Sequence, residues 1–353
     1  MNHIKGLRTI LPKIGAEALL LSSEISQRYA VDFAFSDGYV LITERAAYLV
    51  TDPRYLEEAS GAVDGGITVI APKSRTEFIF DTLSTEGITH LGIEDRALTL
   101  SEHEELFAGK EISTVPIGKE IEALRAVKDE GEIARIRAAQ AITDAAFSHI
   151  LSALTPTMSE VDVVLELETF MRRNGADGIA FPTIVVSGAS SSLPHGLPSH
   201  RPLSRGFLTM DFGASVGGYS SDMTRTVVLG RATEEMKRLY QTVLTAQELG
   251  IEAIAPGVEG VLVDGAARAH IDREGYAGLF GHGFGHGVGL EIHEAPRLSI
   301  RAREPLCVGN VVTAEPGIYR TGEYGCRIEN MGLVTQDGFD CFTKSTKELI
   351  ELF

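Results

Sequence analysis

Short apolar runs alternate with amphipathic stretches along the first third of the chain. The runs have the length of buried strands, and apolar residues recur at helical spacing in three of the stretches between them. The predicted strands are Ala18–Ser22, Tyr39–Thr43, Ala47–Thr51, Ile67–Ile70, Leu91–Glu94 and Thr114–Ile117, and the predicted helices lie near Arg54–Ser60, Glu77–Ser84 and Ser101–Phe107. Such alternation predicts a compact α/β domain, which we assign to residues 1–122.

Longer helical patterns separated by strand-rich segments make up residues 123–353. The predicted helices are Asp129–Ser152, Ser159–Asn174, Thr233–Ile254 and Val261–Glu274. Thr157 and Glu160 form a candidate capping box at the start of the second of these helices, and Gly175 is its expected end. The pattern predicts an α+β domain whose long helices pack on one face of an antiparallel sheet.

The stretch GHGFGHGVGLEIHE (Gly281–Glu294) places three histidines among regularly spaced glycines. His282 and His286 have the spacing of the zinc motif HExxH, which needs a helix to bring both rings onto one face. Each interior glycine costs a helix about 1 kcal/mol relative to alanine, so a helix is not expected here. We expect looped or extended backbone that continues as a strand through Leu290 and Ile292, and further metal ligands must come from elsewhere.

A predicted hairpin, LTMDFGASVGGYSSDMTRTVV (Leu208–Val228), carries two aspartates. Asp211 and Asp222 are equidistant from a point between Val216 and Gly217. Residues equidistant from the turn of an antiparallel pair lie opposite each other, with their Cβ atoms about 5 Å apart. The hairpin is therefore expected to place two like charges side by side, which is unfavourable unless a cation lies between them.

A second hairpin, VVTAEPGIYRTGEYGCRIENMGLV (Val311–Val334), repeats the arrangement with glutamates. Glu315 and Glu329 are equidistant from Gly322, in the middle of the turn. For a single acid, a solvated hairpin position is a sufficient explanation. For four acids it is not, because both hairpins look largely buried and buried carboxylates must be neutralised.

Four carboxylates and one imidazole, His286, form a ligand set suited to divalent first-row metals on the hard side, such as manganese or cobalt. Too many charges converge for a single ion, so the set predicts two metals bridged by carboxylates.

Composition excludes several classes of protein. Lys+Arg 32 against Asp+Glu 49 gives a net charge of −17, which argues against nucleic-acid binding. The apolar runs are too short to cross a bilayer, and charged residues interrupt any signal-peptide core. The 3 cysteines lack CxxC spacing, as expected for a reduced cytoplasmic protein.

These residues resemble the M24-type creatinase/prolidase/methionine-aminopeptidase family of metallopeptidases. The resemblance covers essentially the whole chain, including TDPRY (Thr51–Tyr55), which resembles a segment of the Xaa-Pro peptidase branch. The motifs that carry it are MDFGASVGGYSSDMTRT, GHGVGLEIHE, TAEPGIY and CRIEN. It implies a pita-bread catalytic domain at residues 123–353, an antiparallel sheet covered by helices, preceded by a smaller α/β creatinase-like N-terminal domain.

The resemblance also implies a role for each acidic residue. Two divalent metal ions would be held by Asp211, Asp222, His286, Glu315 and Glu329. Asp222 and Glu329 would bridge the ions, with Asp211 on one side and His286 and Glu315 on the other. Glu315 would also be the catalytic base that takes a proton from the attacking water.

Five further residues receive roles from the same resemblance. His293 would donate a hydrogen bond to the developing oxyanion, and His195 matches another catalytic histidine of the proline-specific branch. His282 and Arg297 would bind substrate, and Arg327 would orient an aspartate ligand. The alternative for His282 and His293 is a surface histidine of a glycine-rich loop, and for Arg297 an exposed structural arginine.

The two-domain layout and His195 favour the Xaa-Pro branch over methionine aminopeptidases, which typically lack this N-terminal domain. An Xaa-Pro bond has no N–H, so its enzyme must recognise the proline ring by shape. Arg297 favours an Xaa-Pro dipeptidase (prolidase), since some prolidases carry an arginine there for the free proline carboxylate. An Xaa-Pro aminopeptidase (aminopeptidase P) is the alternative. A creatinase-like hydrolase and a metal-free binding scaffold of the same fold are disfavoured, because either should have lost metal ligands and all five are present.

The resemblance implies Mn²⁺ as cofactor, with Co²⁺, Zn²⁺ and Fe²⁺ as alternatives. It further implies small peptides with proline in second position as substrates, a homodimer, and no nucleic-acid or membrane partner.

Overall fold

The computed structural model of the chain describes residues 3–353. The chain divides into two compact units, the first ending at Arg125 and the second formed by Ala126–Phe353. Among the described residues, none of the helices combines the length and the apolar character needed to cross a bilayer.

The first unit is built on a six-stranded mixed sheet. Its strands are β1 (Ala18–Leu21), β2 (Tyr39–Thr43), β3 (Ala47–Val50), β4 (Thr68–Ile70), β5 (His90–Ile93) and β6 (Ser113–Pro116). Their order is β4-β3-β2-β1-β5-β6, with β2 antiparallel to both of its neighbours and the other pairs parallel. All six predicted strands are confirmed, with shifts of about one residue at their ends.

The helices of this region are α1 (Ile4–Arg8), α2 (Leu11–Ile14), α3 (Glu24–Val31), α4 (Pro53–Ala62), α5 (Arg75–Glu86), α6 (Leu100–Phe107) and α7 (Gly118–Ala126). The three predicted helices correspond to α4, α5 and α6. The shortest ones, α1 and α2, have only 5 and 4 residues, too few to show a helical period.

The second unit contains four long helices and several antiparallel sheets. Its helices are α8 (Glu130–Ala153), α9 (Glu160–Arg173), α10 (Glu234–Ala253) and α11 (Gly260–Ile271). Its strands are β7 (Gly178–Ile179), β8 (Ile184–Ser187), β9 (Gly206–Phe212), β10 (Ala214–Val216), β11 (Tyr219–Ser220), β12 (Met223–Leu229), β13 (Gly285–Gly287), β14 (Glu294–Leu298), β15 (Val311–Ala314), β16 (Gly317–Arg320), β17 (Tyr324–Arg327), β18 (Asn330–Thr335), β19 (Gly338–Cys341) and β20 (Glu351–Leu352).

This unit has two similar halves, each a helix pair packed on a sheet. In the first half, α8 and α9 pack with the sheet β20-β12-β9-β8 through one core cluster that includes Phe147, Leu167 and Met210. In the second half, α10 and α11 pack with the sheet β14-β13-β15-β18-β19 through another, which includes Phe284 and Val312. The predicted helix-covered antiparallel architecture is confirmed, apart from a short parallel pairing of β20 with β12.

Two local predictions are wrong. The capping box of α9 consists of Ser159 and Asp162, whose side chains bond each other's backbone N–H, rather than Thr157 and Glu160. Leu290 and Ile292 lie in a bend, and the strand resumes only at Glu294. The predicted end of α9 is confirmed, since Gly175 follows it with a φ of 104°, a conformation that glycine adopts without strain.

Candidate metal centre

The first acidic hairpin comes from β9 and β12, which form an antiparallel pair. Thr224 lies opposite Asp211, so the prediction that Asp222 does so is wrong by two residues. The reason is the turn, which is made by Gly217 and Gly218 with φ values of 57° and 80° and lies further along the chain than the predicted centre. Asp222 precedes Thr224 by two residues, and its side chain still lines the same cavity as that of Asp211.

The second acidic hairpin has the predicted register. Ala314 pairs with Asn330 on one side of the glutamates and Gly317 pairs with Arg327 on the other. Both pairs are equidistant from Gly322, so Glu315 and Glu329 face each other between them.

His286 lies on β13, between β14 and β15. The glycines beside it are needed for close packing: a Cβ on Gly285 would lie 2.1 Å from the carbonyl oxygen of Thr313, and one on Gly287 would lie 2.1 Å from that of Ala295. His286 Nδ1 is 3.2 Å from the carbonyl oxygen of Gly287. This contact leaves Nε2 turned toward the carboxylates.

The acids and the histidine converge on one point. His286 Nε2 is 3.1 Å from Glu315 Oε1 and 3.6 Å from Asp222 Oδ2. Asp222, His286 and Glu329 each offer one ligand atom, and these atoms all lie within 4.8 Å of one another. Among the described residues, the buried atoms Asp211 Oδ1 and Glu329 Oε1 have no hydrogen-bond partner. Unpartnered buried carboxylate oxygens are costly without a cation, so these residues fit divalent metal ions.

The pKa values show the same crowding of negative charge. Burial and repulsion from Glu329, Asp211 and Glu315 raise the pKa of Asp222 well above its usual range. Burial and the charges of Glu315 and Asp211 do the same to the pKa of Glu329. Burial alone would raise the pKa of Glu315, but the hydrogen bond and charge of His286, together with the charges of His282 and Arg327, lower it to about 2. Two of the acids therefore need a further cation to be ionised together.

Arg327 brings a positive charge to one edge of the cluster. Its Nη2 donates to Asp211 Oδ2 at 2.6 Å, and its Nη1 donates to the hydroxyl of Tyr319 at 2.8 Å. Its Nε donates to Thr224 Oγ1, which in turn donates to Glu329 Oε2 at 2.7 Å. One guanidinium thus orients an acid from each hairpin.

Tyr319 and Thr224 were missed in the sequence, although Tyr319 lies in the quoted TAEPGIY and Thr224 in the quoted SSDMTRT. The Tyr319 hydroxyl is also 3.0 Å from His282 Nε2. Nothing in the hydrophobic pattern distinguishes these two hydroxyls, since their partners are brought together only by the tertiary fold.

Arg225 binds the backbone of Glu329 rather than its side chain. This buried guanidinium donates to the carbonyl oxygens of Glu329, Ser345 and Thr346 and to Asn330 Oδ1. Its bonds tie the segment between β17 and β18, which carries Glu329, to Ser345 and Thr346.

All the predicted site residues line one cavity of about 490 Å³. They are His195, Asp211, Asp222, His282, His286, His293, Arg297, Glu315, Arg327 and Glu329. Apolar side chains of Phe181, Pro182, Ile184 and Ile292 line it as well. Burial lowers the pKa of His282 and of His293, and for His293 the nearby His286 and Arg297 add to the effect. Both rings are therefore neutral near pH 7, each with one N–H to donate.

Comparison with known proteins agrees with this geometry. The model of metallopeptidase family M24 matches residues 134–336, and that of the creatinase/prolidase N-terminal domain matches residues 3–127. An Xaa-Pro dipeptidase of Pyrococcus horikoshii is 36% identical over 354 residues, covering 99% of each chain.

Two solved structures have nearly the same fold. An Xaa-Pro dipeptidase from Bacillus anthracis is 41% identical, with a TM-score of 0.95 over 99% of both chains. An X-Pro aminopeptidase from Thermotoga maritima is 34% identical, with a TM-score of 0.91 over 97% of this chain and 99% of the other. The family inferred from the motifs is confirmed: the chain belongs to metallopeptidase family M24 and carries a creatinase/prolidase N-terminal domain.

Proposed function

We propose that this metallopeptidase is an Xaa-Pro dipeptidase with two divalent metal ions. The observation that carries the proposal is the convergence of four carboxylates and His286 on one cavity, with two buried carboxylate oxygens lacking a partner among the described residues. Similarity to proteins named Xaa-Pro dipeptidase supports the choice of substrate.

The metal ligands would be Asp211, Asp222, His286, Glu315 and Glu329, with Asp222 and Glu329 shared between the ions. Two bound ions would supply Lewis-acid polarisation of the scissile carbonyl and a lowered pKa for the attacking water. The predominance of oxygen ligands suits Mn²⁺, with Co²⁺, Zn²⁺ and Fe²⁺ as alternatives.

The side chains around the ligands have complementary tasks. Glu315 accepts the proton of the attacking water and delivers it to the leaving proline nitrogen. Neutral His293 donates its N–H to the oxyanion that develops on the carbonyl. Arg327 orients Asp211 and opposes the rise that burial causes in the pKa of that carboxyl, while His195 and His282 line the substrate pocket.

Recognition of proline must use shape, because the bond to be cut has no N–H. Phe181, Pro182, Ile184 and Ile292 offer the apolar surface for a ring. Arg297 would bind the free carboxylate of a dipeptide. It lies on β14, and among residues 3–353 the one hydrogen bond that its guanidinium makes is that of Nη2 to the carbonyl oxygen of His293, at 3.4 Å. Its charge is therefore available to a ligand.

An Xaa-Pro aminopeptidase is the second candidate, favoured by the similarity to the Thermotoga maritima structure. The two are separated by measuring metal content and then cleavage of Gly-Pro, Gly-Pro-Ala and Met-Ala-Ser with added Mn²⁺. We expect cleavage of Gly-Pro alone. Cleavage of Gly-Pro-Ala would select the aminopeptidase, cleavage of Met-Ala-Ser a methionine aminopeptidase, and no cleavage by the metal-loaded protein would favour a binding scaffold.

Three finer features belong to the same proposal. The protein would act as a homodimer, to be checked by light scattering, and in the cytoplasm, to be checked by cell fractionation. The boundary between Glu122 and Ala123 would separate two domains, to be checked by limited proteolysis.

A further inference from the structure

The segment Gly188–Ser199 carries His195 to the cavity. It begins as a 3-10 helix, Gly188–Ser192, and runs along the surface with Leu197 86% exposed. His195 itself is exposed. Because its ring is not packed into the core, the backbone of this segment decides where the ring can reach.

Glu160, the first residue of α9, joins the two ends of the segment. Its Oε1 accepts hydrogen bonds from the Ser187 N–H at 2.7 Å and the Ser187 hydroxyl at 2.9 Å. Its Oε2 accepts from the Ser199 N–H at 3.0 Å and the Ser199 hydroxyl at 2.8 Å. Glu160 is only 4% exposed, so these four bonds form where water competes little and a carboxylate makes strong ones.

The middle of the segment is attached to the candidate metal centre. The carbonyl oxygen of Pro194 accepts from Arg327 Nη1 at 3.3 Å, the guanidinium that also binds Asp211. The hydroxyl of Ser191 accepts from the Gly325 N–H at 3.0 Å, at the edge of the second acidic hairpin. The ends are thus fixed to a helix and the centre is fixed to the residues around the metal ligands.

We propose that Glu160 is a positioning residue that fixes Gly188–Ser199 and thereby holds His195 against the bound peptide. The inference rests on the proposed peptidase function. Glu160 lies outside the cavity lining, so it acts on substrate only through the segment. Its loss should weaken substrate binding while the metal ligands stay in place.

The test compares Glu160→Ala and Glu160→Gln with Glu168→Ala, a control on the same helix whose side chain is half-buried. Metal content, hydrogen–deuterium exchange of a peptide spanning residues 188–199, and KM and kcat for Gly-Pro with Mn²⁺ are measured. In Glu160→Ala we expect two ions per chain, faster exchange at Leu193 and Gly196, and KM raised about tenfold with kcat within about threefold of wild type.

Glu160→Gln should lie between wild type and Glu160→Ala, because its amide oxygen can still bind Ser187 while its NH₂ faces the donors of Ser199. The control should match wild type. If Glu160→Ala does not fold, Ser199→Ala removes one hydroxyl donor and should give the same changes on a smaller scale.

Unchanged exchange and unchanged KM in Glu160→Ala would overturn the proposal. So would a joint loss of kcat and metal, since that indicates a general structural role. A metal-loaded wild type that leaves Gly-Pro intact would overturn the peptidase proposal instead, and the exchange data alone would then decide whether Glu160 holds the segment.

Discussion

The two acidic hairpins deliver matching pairs of carboxylates with different backbones. In the first, a single register runs from β9 and β12 into β10 and β11 and is centred between Gly217 and Gly218. In the second, a single register runs from β15 and β18 into β16 and β17 and is centred on Gly322. One pair of acids is therefore diagonal, and the other faces across the ladder.

The difference shows that convergence on a cavity does not require cross-strand pairing. Diagonal neighbours on one face of a sheet remain within reach of long side chains and of a shared cation. Each hairpin contributes one acid whose pKa is raised well above its usual range, Asp222 from the first and Glu329 from the second. The other two acids differ: burial raises the pKa of Asp211, whereas the pKa of Glu315 is lowered to about 2.

The largest expected effect is the loss of either of these two acids. Asp222→Ala and Glu329→Ala should each lower kcat/KM by more than about a thousandfold and remove both metals, because each carboxylate is proposed to serve both ions. Metal analysis and Gly-Pro hydrolysis provide the measurements. Glu323→Ala, an exposed acid at the tip of the second hairpin, is the control. Retention of two ions in either variant would contradict the shared role.

A second prediction concerns the backbones. A Cβ on Gly213 would lie 1.9 Å from the carbonyl oxygen of Ser221, whereas Gly322 has open space and a φ of 76°. Gly213→Ala should lower the free energy of unfolding by about 3 kcal/mol through overpacking. Gly322→Ala should lower it by about 1 kcal/mol through an unfavourable left-handed conformation. Denaturant unfolding of the metal-free proteins measures both, and equal losses would contradict the difference between a packed glycine at 213 and an unpacked one at 322.

A third prediction uses pH within the second hairpin. In metal-free protein, the pKa of Glu329 is raised above its usual value of 4.5. Its contribution to the free energy of unfolding is therefore complete below about pH 4.5 and is lost as the pH rises. The pKa of Glu315, lowered to about 2, means the reverse: its contribution is present above 4.5 and is lost as pH falls toward 2.

At about pH 6.5, Glu329→Gln should therefore raise the free energy of unfolding of chelator-treated protein by about 1–3 kcal/mol, and Glu315→Gln should lower it. Added Mn²⁺ should reverse the sign for Glu329→Gln. Melting temperatures with and without chelator test both. The same sign for both variants without metal would show that the two glutamates do not differ in this way.

The smallest expected effect lies outside both hairpins. Arg297→Ala should raise KM for Gly-Pro about tenfold, with a smaller change for Gly-Pro-Ala, if the guanidinium binds the terminal carboxylate of a dipeptide. Metal content should not change. Steady-state kinetics on the two peptides provide the measurement, and equal increases would assign Arg297 a general role.

The hydrophobic pattern was sufficient for the strands of the first unit and the long helices of the second. It was also sufficient for the register of the second hairpin, because Gly322, where the chain turns with a φ of 76°, is the centre of that register. The register of the first hairpin was predicted wrongly, because Gly213, Gly217 and Gly218 offer several places where the chain can turn.

The metal ligands could be proposed from sequence motifs, whereas the residues that hold those ligands in place by hydrogen bonds could not. Thr224, Tyr319 and Arg225 act through partners that are remote in sequence, and Glu160 joins residues on either side of an irregular segment. Hydrophobic periodicity carries no information on such polar contacts. It also did not predict the bend at Leu290, where the local pattern favoured a strand and the chain changes direction instead.

The buried guanidinium of Arg225 has a consequence for how the candidate metal centre opens. Its bonds join the backbone of Glu329 to the carbonyl oxygens of Ser345 and Thr346, which are remote in sequence. Local unfolding of the segment around Ser345 and Thr346 would remove acceptors from a buried positive charge and loosen the residue that bears a ligand carboxylate. Metal affinity should therefore fall when this segment opens, although neither Ser345 nor Thr346 lines the cavity.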